Sequence, residues 1–480
     1  MAEAQRGGIG AAIAAAEAKS RRSLLRNHGG GHAPVSFLEL FFDLVFVFAI
    51  TQLSHFLKDH LTWLGFAQAL VLFLAVWWAW MYTTWATNWA DPERFEIRVM
   101  LLGLMALSLL MAVALPYGFS KYAWLFAASY VLLQLGRTVF MSFVLYREQQ
   151  TNARNMMRIA VWFCFAAPFW LIGVLRPEEE RLAWWLLAVV IEYLGPITLF
   201  PVPGLGRSKA SDWDISGSHM AERCGLFIII ALGEGIIITG ATFADAPMES
   251  GRVLAFALAF LSSVLMWWLY FDLGQKRGSE HISENAEVGR VARNAYTYLH
   301  MPIVLGIVIF AVADAKLLDN WSKPADGKLA LVMCGGGVLF LVGLGLFKRN
   351  SNPLGNFPLS HLIGTLLFVG LGYAAWQGLL TTLQVGGLGV AAFAVVSGWE
   401  WVSYHGGWKE RIDDTIDWLR LDSHYYRRAG GRLLPEPALL DPANSARSFR
   451  ADAAGGSPQA KSRPTGVRAS PRLPPFPLPG

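Results

Sequence analysis

Apolar residues run in long blocks along most of the chain, and polar residues collect in short breaks between them. Blocks of about 20 residues, rising about 1.5 Å per residue, are long enough to cross a hydrocarbon core of about 30 Å. The pattern predicts twelve spans, at 37–57, 66–86, 99–116, 122–146, 158–175, 182–201, 223–241, 252–271, 297–315, 329–347, 360–380 and 383–402. The breaks are charged or proline-bearing, as at Asp91-Pro92-Glu93-Arg94 and Arg176-Pro177-Glu178-Glu179-Glu180. Between the last two spans only Thr381 and Thr382 interrupt the pattern. The expected fold class is an all-α polytopic membrane protein with about twelve transmembrane helices.

The two ends break the pattern. Residues 1–35 are rich in Ala and Gly, and the basic cluster Lys19, Arg21, Arg22 and Arg26 follows the weak Ala stretch. A secretory signal has the reverse order, so a cytoplasmic N-terminal arm is expected. His28 and His32 flank three glycines, which reads as a linker rather than a metal site. Residues 403–433 place Trp408, Ile412, Ile416 and Leu419 at helical spacing, which predicts an interfacial amphipathic helix. Residues 434–480 turn to Pro, Ala, Ser and Arg and predict a disordered tail. Lys and Arg are denser at the termini and in the even-numbered loops, with Arg147, Arg154, Arg207, Lys209, Lys348 and Arg349 among them. The positive-inside rule then puts both termini in the cytoplasm of a multi-pass protein of the cell (inner) membrane.

Composition narrows the function classes. The chain has 480 residues, 54% hydrophobic and 16% charged, with a mean hydropathy of +0.39. Soluble domains are less apolar and carry about 25% charged residues, so a soluble enzyme, a coiled coil and a disordered protein are excluded. The net charge of +5 is spread over membrane flanks, which argues against nucleic acid as a partner. Cys164, Cys224 and Cys334 form no CxxC, so neither a disulfide framework nor a zinc site is expected. No phosphate loop, HExxH or GxSxG is present. The expectation is a protein with no catalytic residues, no metal and no cofactor, whose partners are membrane lipids and a small solute or cation.

The two halves of the chain echo each other. Glu39-Leu40-Phe41-Phe42-Asp43 opens the first span, and Glu222-Arg223-Cys224-Gly225-Leu226-Phe227 opens the seventh. Trp77-Trp78-x-Trp80-x-Tyr82 resembles Trp267-Trp268-x-Tyr270, and Ala112-Val113-Ala114 resembles Ala311-Val312-Ala313. Six spans is an even number, so halves at 36–201 and 219–402, joined by a linker at 202–218, would be two parallel six-helix repeats about an axis along the membrane normal.

Charges inside the apolar blocks are the candidate chemistry. Each costs at least about 2.5–3.5 kcal/mol to insert, so each needs a partner or a water-filled path. Glu39 and Asp43 are four apart and share a helix face, where a proton or cation between them, or a pairing with Arg94 or Arg98, would relieve their repulsion. Glu234 sits near mid-depth between Gly233 and Gly235, a pattern for a local helix break lining a cavity or for a protonated Glu between two close helices. Glu192 lies mid-span before Gly195-Pro196, and Arg137 lies mid-span with Asp43, Glu192 or Glu234 as candidate partners. Glu222 and Arg223 fall at the membrane edge and read as structural. His300 has an ordinary pKa suited to proton coupling. The cluster Trp77, Trp78, Trp80, Trp85 and Trp89 reads as an aromatic belt and packing surface near one interface. Together the charges predict that Asp43 and Glu234 face a shared polar cavity between the halves. Glu39 and His300 would form the outer part of the path, and Arg137 would limit how many carboxylates are charged at once.

Residues Ser36-Phe37-Leu38-Glu39-Leu40-Phe41-Phe42-Asp43, running on to Thr51-Gln52-Leu53, closely resemble the opening signature of the bacterial low temperature requirement A family. Glu222-Arg223-x-Gly225-Leu226-Phe227 with Ala231-Leu232-Gly233-Glu234 resembles its second signature, and Tyr298-Leu299-His300-Met301-Pro302 its third. Gly235 stands where that pattern has a small polar residue, usually Ser. The resemblance covers roughly residues 36–402 and implies a multi-span inner-membrane protein named for a cold-growth phenotype, without a settled activity. Phe42-Asp43-x-Val45-Phe46 is also faintly similar to the Phe-Ser-Asp motif of a lysosomal and bacterial potassium-channel family. The function expected is a proton- or cation-coupled transporter or ion permease. The alternative is a membrane sensor or scaffold for envelope and cold adaptation.

Overall fold

A capping box starts the first helix, α1 (Phe37–Asp59): the Ser36 hydroxyl accepts from the Glu39 N–H while the Glu39 carboxylate accepts from the Ser36 N–H. Thr62 and Ser216 similarly accept a backbone N–H at the starts of α2 (Trp63–Trp89) and α7 (Gly217–Ala244). Between those two come α3 (Phe95–Ala114), α4 (Ala123–Glu148), α5 (Gln150–Leu175) and α6 (Glu178–Ile197). After them come α8 (Ser250–Tyr270), α9 (Arg290–Asp319), α10 (Gly327–Asn350), α11 (Leu359–Trp376) and α12 (Thr382–Tyr404). The structure is a computed structural model that describes residues 23–26, 34–209, 212, 215–245, 247–272, 288–351 and 355–404. The tail at 434–480, the His28–His32 stretch and all but the first two residues of the expected interfacial helix lie outside the described residues.

Among the described residues there is no β-sheet, and eleven helices are long and apolar enough to cross a membrane. The protein is therefore a multi-pass all-α membrane protein. The twelfth expected span is present as α6, a 20-residue helix whose charged first turn, Glu178, Glu179, Glu180 and Arg181, leaves it no long stretch poor in charge. The helix surfaces that face outward carry Phe41, Leu44, Phe143, Leu366 and many other large apolar side chains, a surface suited to lipid.

Two seams organise the bundle. α1 and α7 run in the same direction, because the pairs Glu39–His219 and Asp43–Arg223 are each 180 positions apart and Thr51–Glu234 is 183 apart. α9 is the most enclosed helix and packs backbone to backbone on α10. A Cβ at Gly306 would lie 2.5 Å from the Phe340 nitrogen, and one at Gly336 2.9 Å from the Phe310 nitrogen. Small residues permit that approach where lipid supplies no hydrophobic drive for helix association. A π-helical stretch, Arg293–Leu299, precedes Pro302 in α9 and absorbs the hydrogen bond that proline cannot donate.

The Trp cluster of α2 is a packing surface, as expected, and it faces into the bundle rather than outward as a belt would. Trp77, Trp78 and Trp80 are fully buried, with Trp85 and Trp89 nearly so. Two of the indoles meet polar partners inside the bundle: Trp77 Nε1 donates to the Thr297 carbonyl at 2.9 Å and Trp80 Nε1 to Asp43 Oδ1 at 2.8 Å. Trp267 and Trp268, the residues matched to them in the second half, are 43% and 39% exposed.

Candidate functional site

Three polar levels lie along the α1–α7 seam. At the first, Glu39 is buried and its oxygens are fully engaged. Arg26 Nη2 donates to Oε2 at 2.6 Å, the Ser36 N–H at 2.9 Å, and His219 Nε2 lies 2.9 Å from Oε1. Asn88 holds the other nitrogen of His219, with 3.2 Å between Nδ2 and Nδ1. This level ties the N-terminal segment, α1, α2 and α7 together.

One turn further along α1, Asp43 Oδ1 accepts from Arg223 Nη2 at 2.7 Å and from the Trp80 indole. The Arg223 guanidinium also lies 5.7 Å from the Trp80 ring centroid. Arg223 is completely buried, and α7 begins six residues earlier, about 9 Å before it along the helix. Asp43 Oδ2 and Arg223 Nε and Nη1 have no partner. The expected partners of the Glu39–Asp43 pair are engaged elsewhere, Arg94 with Asp91 and Arg98 with Glu93.

At the third level, Glu234 is 0% exposed and its Oε2 accepts from the Thr51 hydroxyl. Its Oε1 has no partner. Ser54, three residues on from Thr51, faces the same carboxyl without hydrogen-bond geometry of its own. Gly233 and Gly235 do not break the helix; α7 is continuous through them, and Gly235 lies against Ser263 of α8 and Ala311 of α9. Asp314, three residues beyond Ala311, is also buried, and its Oδ2 accepts from Ser262 at 3.0 Å. Glu234 and Asp314 thus occupy adjacent helices about one turn apart in level.

Asp43 and Glu234 do share a seam, but not a level. Asp43 and Thr51 are separated by eight residues of α1, about 12 Å. Glu192 and Arg137 belong to a separate network among α4, α5 and α6. The Tyr130 hydroxyl donates to Glu192 Oε2, and Trp170 Nε1 donates to Oε1 at 2.8 Å. Gln134 Nε2 donates to the Tyr130 hydroxyl at 3.0 Å, and Gln134 Oε1 accepts from Arg137 Nη2 at 2.5 Å. Arg137 makes no ion pair with Asp43, Glu192 or Glu234; its other acceptors are Thr83 Oγ1 and the Ala79 carbonyl. His300 is buried between Tyr270 and the Ala295 carbonyl, each at 2.8 Å from one ring nitrogen, and does not adjoin Glu39. Glu222 Oε2 accepts from the Val35 N–H at 3.3 Å.

The region that carries nearly all of these contacts matches a known family. The sequence model described as bacterial low temperature requirement A protein (LtrA) spans residues 34–398. The chain belongs to the LtrA family. An uncharacterized protein of Rhizobium meliloti (strain 1021), RA0937, is 38% identical over 352 residues, 73% of this chain and 85% of that relative. No solved structure matches the chain. The LtrA match starts just before the capping box and ends inside α12, so of the three polar levels only Arg26 falls outside it.

Several residues of this LtrA region escaped the sequence reading. Asp314 is a lone acid inside the apolar run Ile303–Leu318, a signal of the same kind as Glu234. His219 precedes its apolar run and gave no signal. Lys348, counted as a loop charge, pairs with Glu400 at 2.5 Å, and His361 joins them at 3.1 Å from the other carboxylate oxygen. Among the described residues no group of three His, Cys, Asp or Glu is placed to hold a metal ion.

Proposed function

We propose that this LtrA-family protein is a proton- or cation-coupled secondary transporter or ion permease of the inner membrane, with both termini in the cytoplasm and no catalytic activity. The observation that carries the reading is Glu234. It is buried at membrane depth, it touches hydroxyls rather than a cation, and one of its oxygens is unoccupied. A carboxyl in that setting is neutral when it carries a proton and needs a bound cation when it does not. Asp314, held by Ser262 alone among the described side chains, supplies a second such group one level away.

The parallel seam supports the architecture that goes with this reading. The first helices of two six-helix halves face each other in the same direction, as two repeats rotated about the membrane normal would place them. In this arrangement Glu234 lies between elements that rock against each other. Asp43–Arg223 and Glu39–His219–Arg26 act as the clasp at the other end.

The test is flux in proteoliposomes loaded with a pH-sensitive dye and challenged with a panel of organic anions and cations. The wild-type protein should move protons with at least one class of solute. Glu234→Gln keeps the size and the Thr51 hydrogen bond but cannot carry a proton, and should abolish the dye response with insertion intact. Unchanged flux in that variant removes Glu234 from the mechanism. Absence of flux in the wild-type protein leaves the sensor or scaffold reading.

A further inference from the structure

The strongest unassigned feature is a pocket between α2, α4, α5, the end of α6 and the start of α9, with a free volume of about 50 Å³. One water needs only about 10–15 Å³ of such space, so the pocket has room for a small organic molecule's head group and part of its body. Its walls include Trp78, Tyr82 and Trp85 and three guanidiniums, Arg137, Arg290 and Arg293, and none of its lining residues is acidic.

Among the described residues, neither Arg137 nor Arg293 has a direct carboxylate partner. Arg137 is 2% exposed and donates only to neutral oxygens, those of Gln134, Thr83 and Ala79. The acid nearest to it by hydrogen bonds is Glu192, beyond Gln134 and Tyr130, whose two oxygens are taken by Tyr130 and Trp170. Arg293 donates through Nη1 to the Pro196 carbonyl at 3.1 Å. Its Nε–H is buried without a partner, and so is the Nε1–H of Trp78. Both orphaned groups are donors. What fits beside them is an acceptor that also carries negative charge: an oxyanion, which a guanidinium fork matches in shape as well as charge. The rest of the wall is aromatic and aliphatic, which suits an apolar body behind that head group.

We infer that this pocket binds a small organic carboxylate with an apolar or aromatic body, held by Arg137 and Arg293. The inference deepens the transport reading, on which it rests for its meaning, by naming the solute class as anionic. A proton taken up at Glu234 would then move with an anion rather than exchange for a cation.

The test is direct binding to the full chain in neutral detergent, read by titration calorimetry with benzoate and with benzamide, its uncharged isostere. Benzoate should bind saturably, and benzamide at least about tenfold more weakly, since the charge-assisted hydrogen bonds are lost. Arg293→Gln, on a half-buried residue, should weaken benzoate by about tenfold or more with the unfolding midpoint unchanged. Equal affinity for benzamide, full affinity in Arg293→Gln, or no saturable binding of benzoate overturns the inference. Binding of inorganic phosphate in preference to benzoate overturns the apolar-body assignment. Failure of the two readings is distinguishable. Benzoate binding without flux sinks transport and leaves the site, whereas flux of other solutes without benzoate binding sinks the site and leaves transport.

Discussion

At one level of the α1–α7 seam Asp43 faces a guanidinium 2.7 Å away; about 12 Å along the same seam Glu234 faces hydroxyls. Both carboxyls are buried, they lie on the paired helices α1 and α7, and both were candidates for the same role. Their neighbours separate them. Arg223 gives Asp43 a permanent counter-charge, and the Trp80 indole fixes its orientation, so this end of the seam is an ionic clasp. Among the described residues Glu234 has no fixed counter-charge. A seam built in this way is locked at one level and not at the other, which is why the proposed transport role rests on Glu234 and not on Asp43.

The largest expected effect comes from breaking the lock. Arg223→Leu leaves Asp43 buried without its partner and should cost about 3–5 kcal/mol, read as unfolding in mixed micelles. The double variant Asp43→Asn with Arg223→Gln removes both charges and should cost less than Arg223→Leu alone, because buried pairs are expensive chiefly when half-broken. A loss below about 1 kcal/mol for Arg223→Leu would mean that the pair is not a clasp, and the contrast with Glu234 would collapse.

A smaller effect on stability tests the other level. Glu234→Gln retains an acceptor for Thr51 and should change unfolding by no more than about 1 kcal/mol, the scale of one ordinary hydrogen bond. The comparison predicts opposite signatures: the Arg223 variant loses stability first, the Glu234 variant loses flux first. If Glu234→Gln proved as destabilising as Arg223→Leu, Glu234 would be structural too.

Much of the fold was legible because apolar runs and polar breaks are local properties. The charges lodged in apolar blocks were legible for the same reason. Partner choice was not, because it is decided between helices far apart in sequence. Arg223 stands where its apolar run begins, and nothing local reveals that it turns into the bundle to meet Asp43. The Trp cluster read as a belt because clustered Trp marks interfaces on average, and nothing local reveals that Asp43 and Thr297 wait inside for the indoles. Arg137 had three plausible acids and took none of them, satisfying itself with Gln134, Thr83 and a carbonyl instead. Of the twelve helices α6 alone lacks a long apolar stretch poor in charge, because its first turn is charged.

The smallest expected effect uses a third carboxylate as a control that lies outside the spans. Asp326 caps α10: its Oδ1 accepts from the Leu329 N–H at 2.7 Å and its Oδ2 from Lys316 Nζ at 3.0 Å. Partial burial pushes its pKa up, but the cap and the lysine outweigh that and hold it below the usual aspartate value. With the native pKa depressed, its contribution is fully present above the unfolded-state value of about 3.9 and is lost as pH falls through the lower native one. Asp326→Ala should therefore cost about 1 kcal/mol or less at neutral pH, and the difference from wild type should shrink only on strong acidification. The cost should be the same in detergent with or without solute, because water on one side of Asp326 screens it from whatever occupies the bundle. Glu234→Gln should behave differently: a solute that loads the protein together with a proton should stabilise wild type more than the variant. A solute-dependent shift at Asp326 as large as that at Glu234 would show that the two measurements report general stability and not a charge state on the seam.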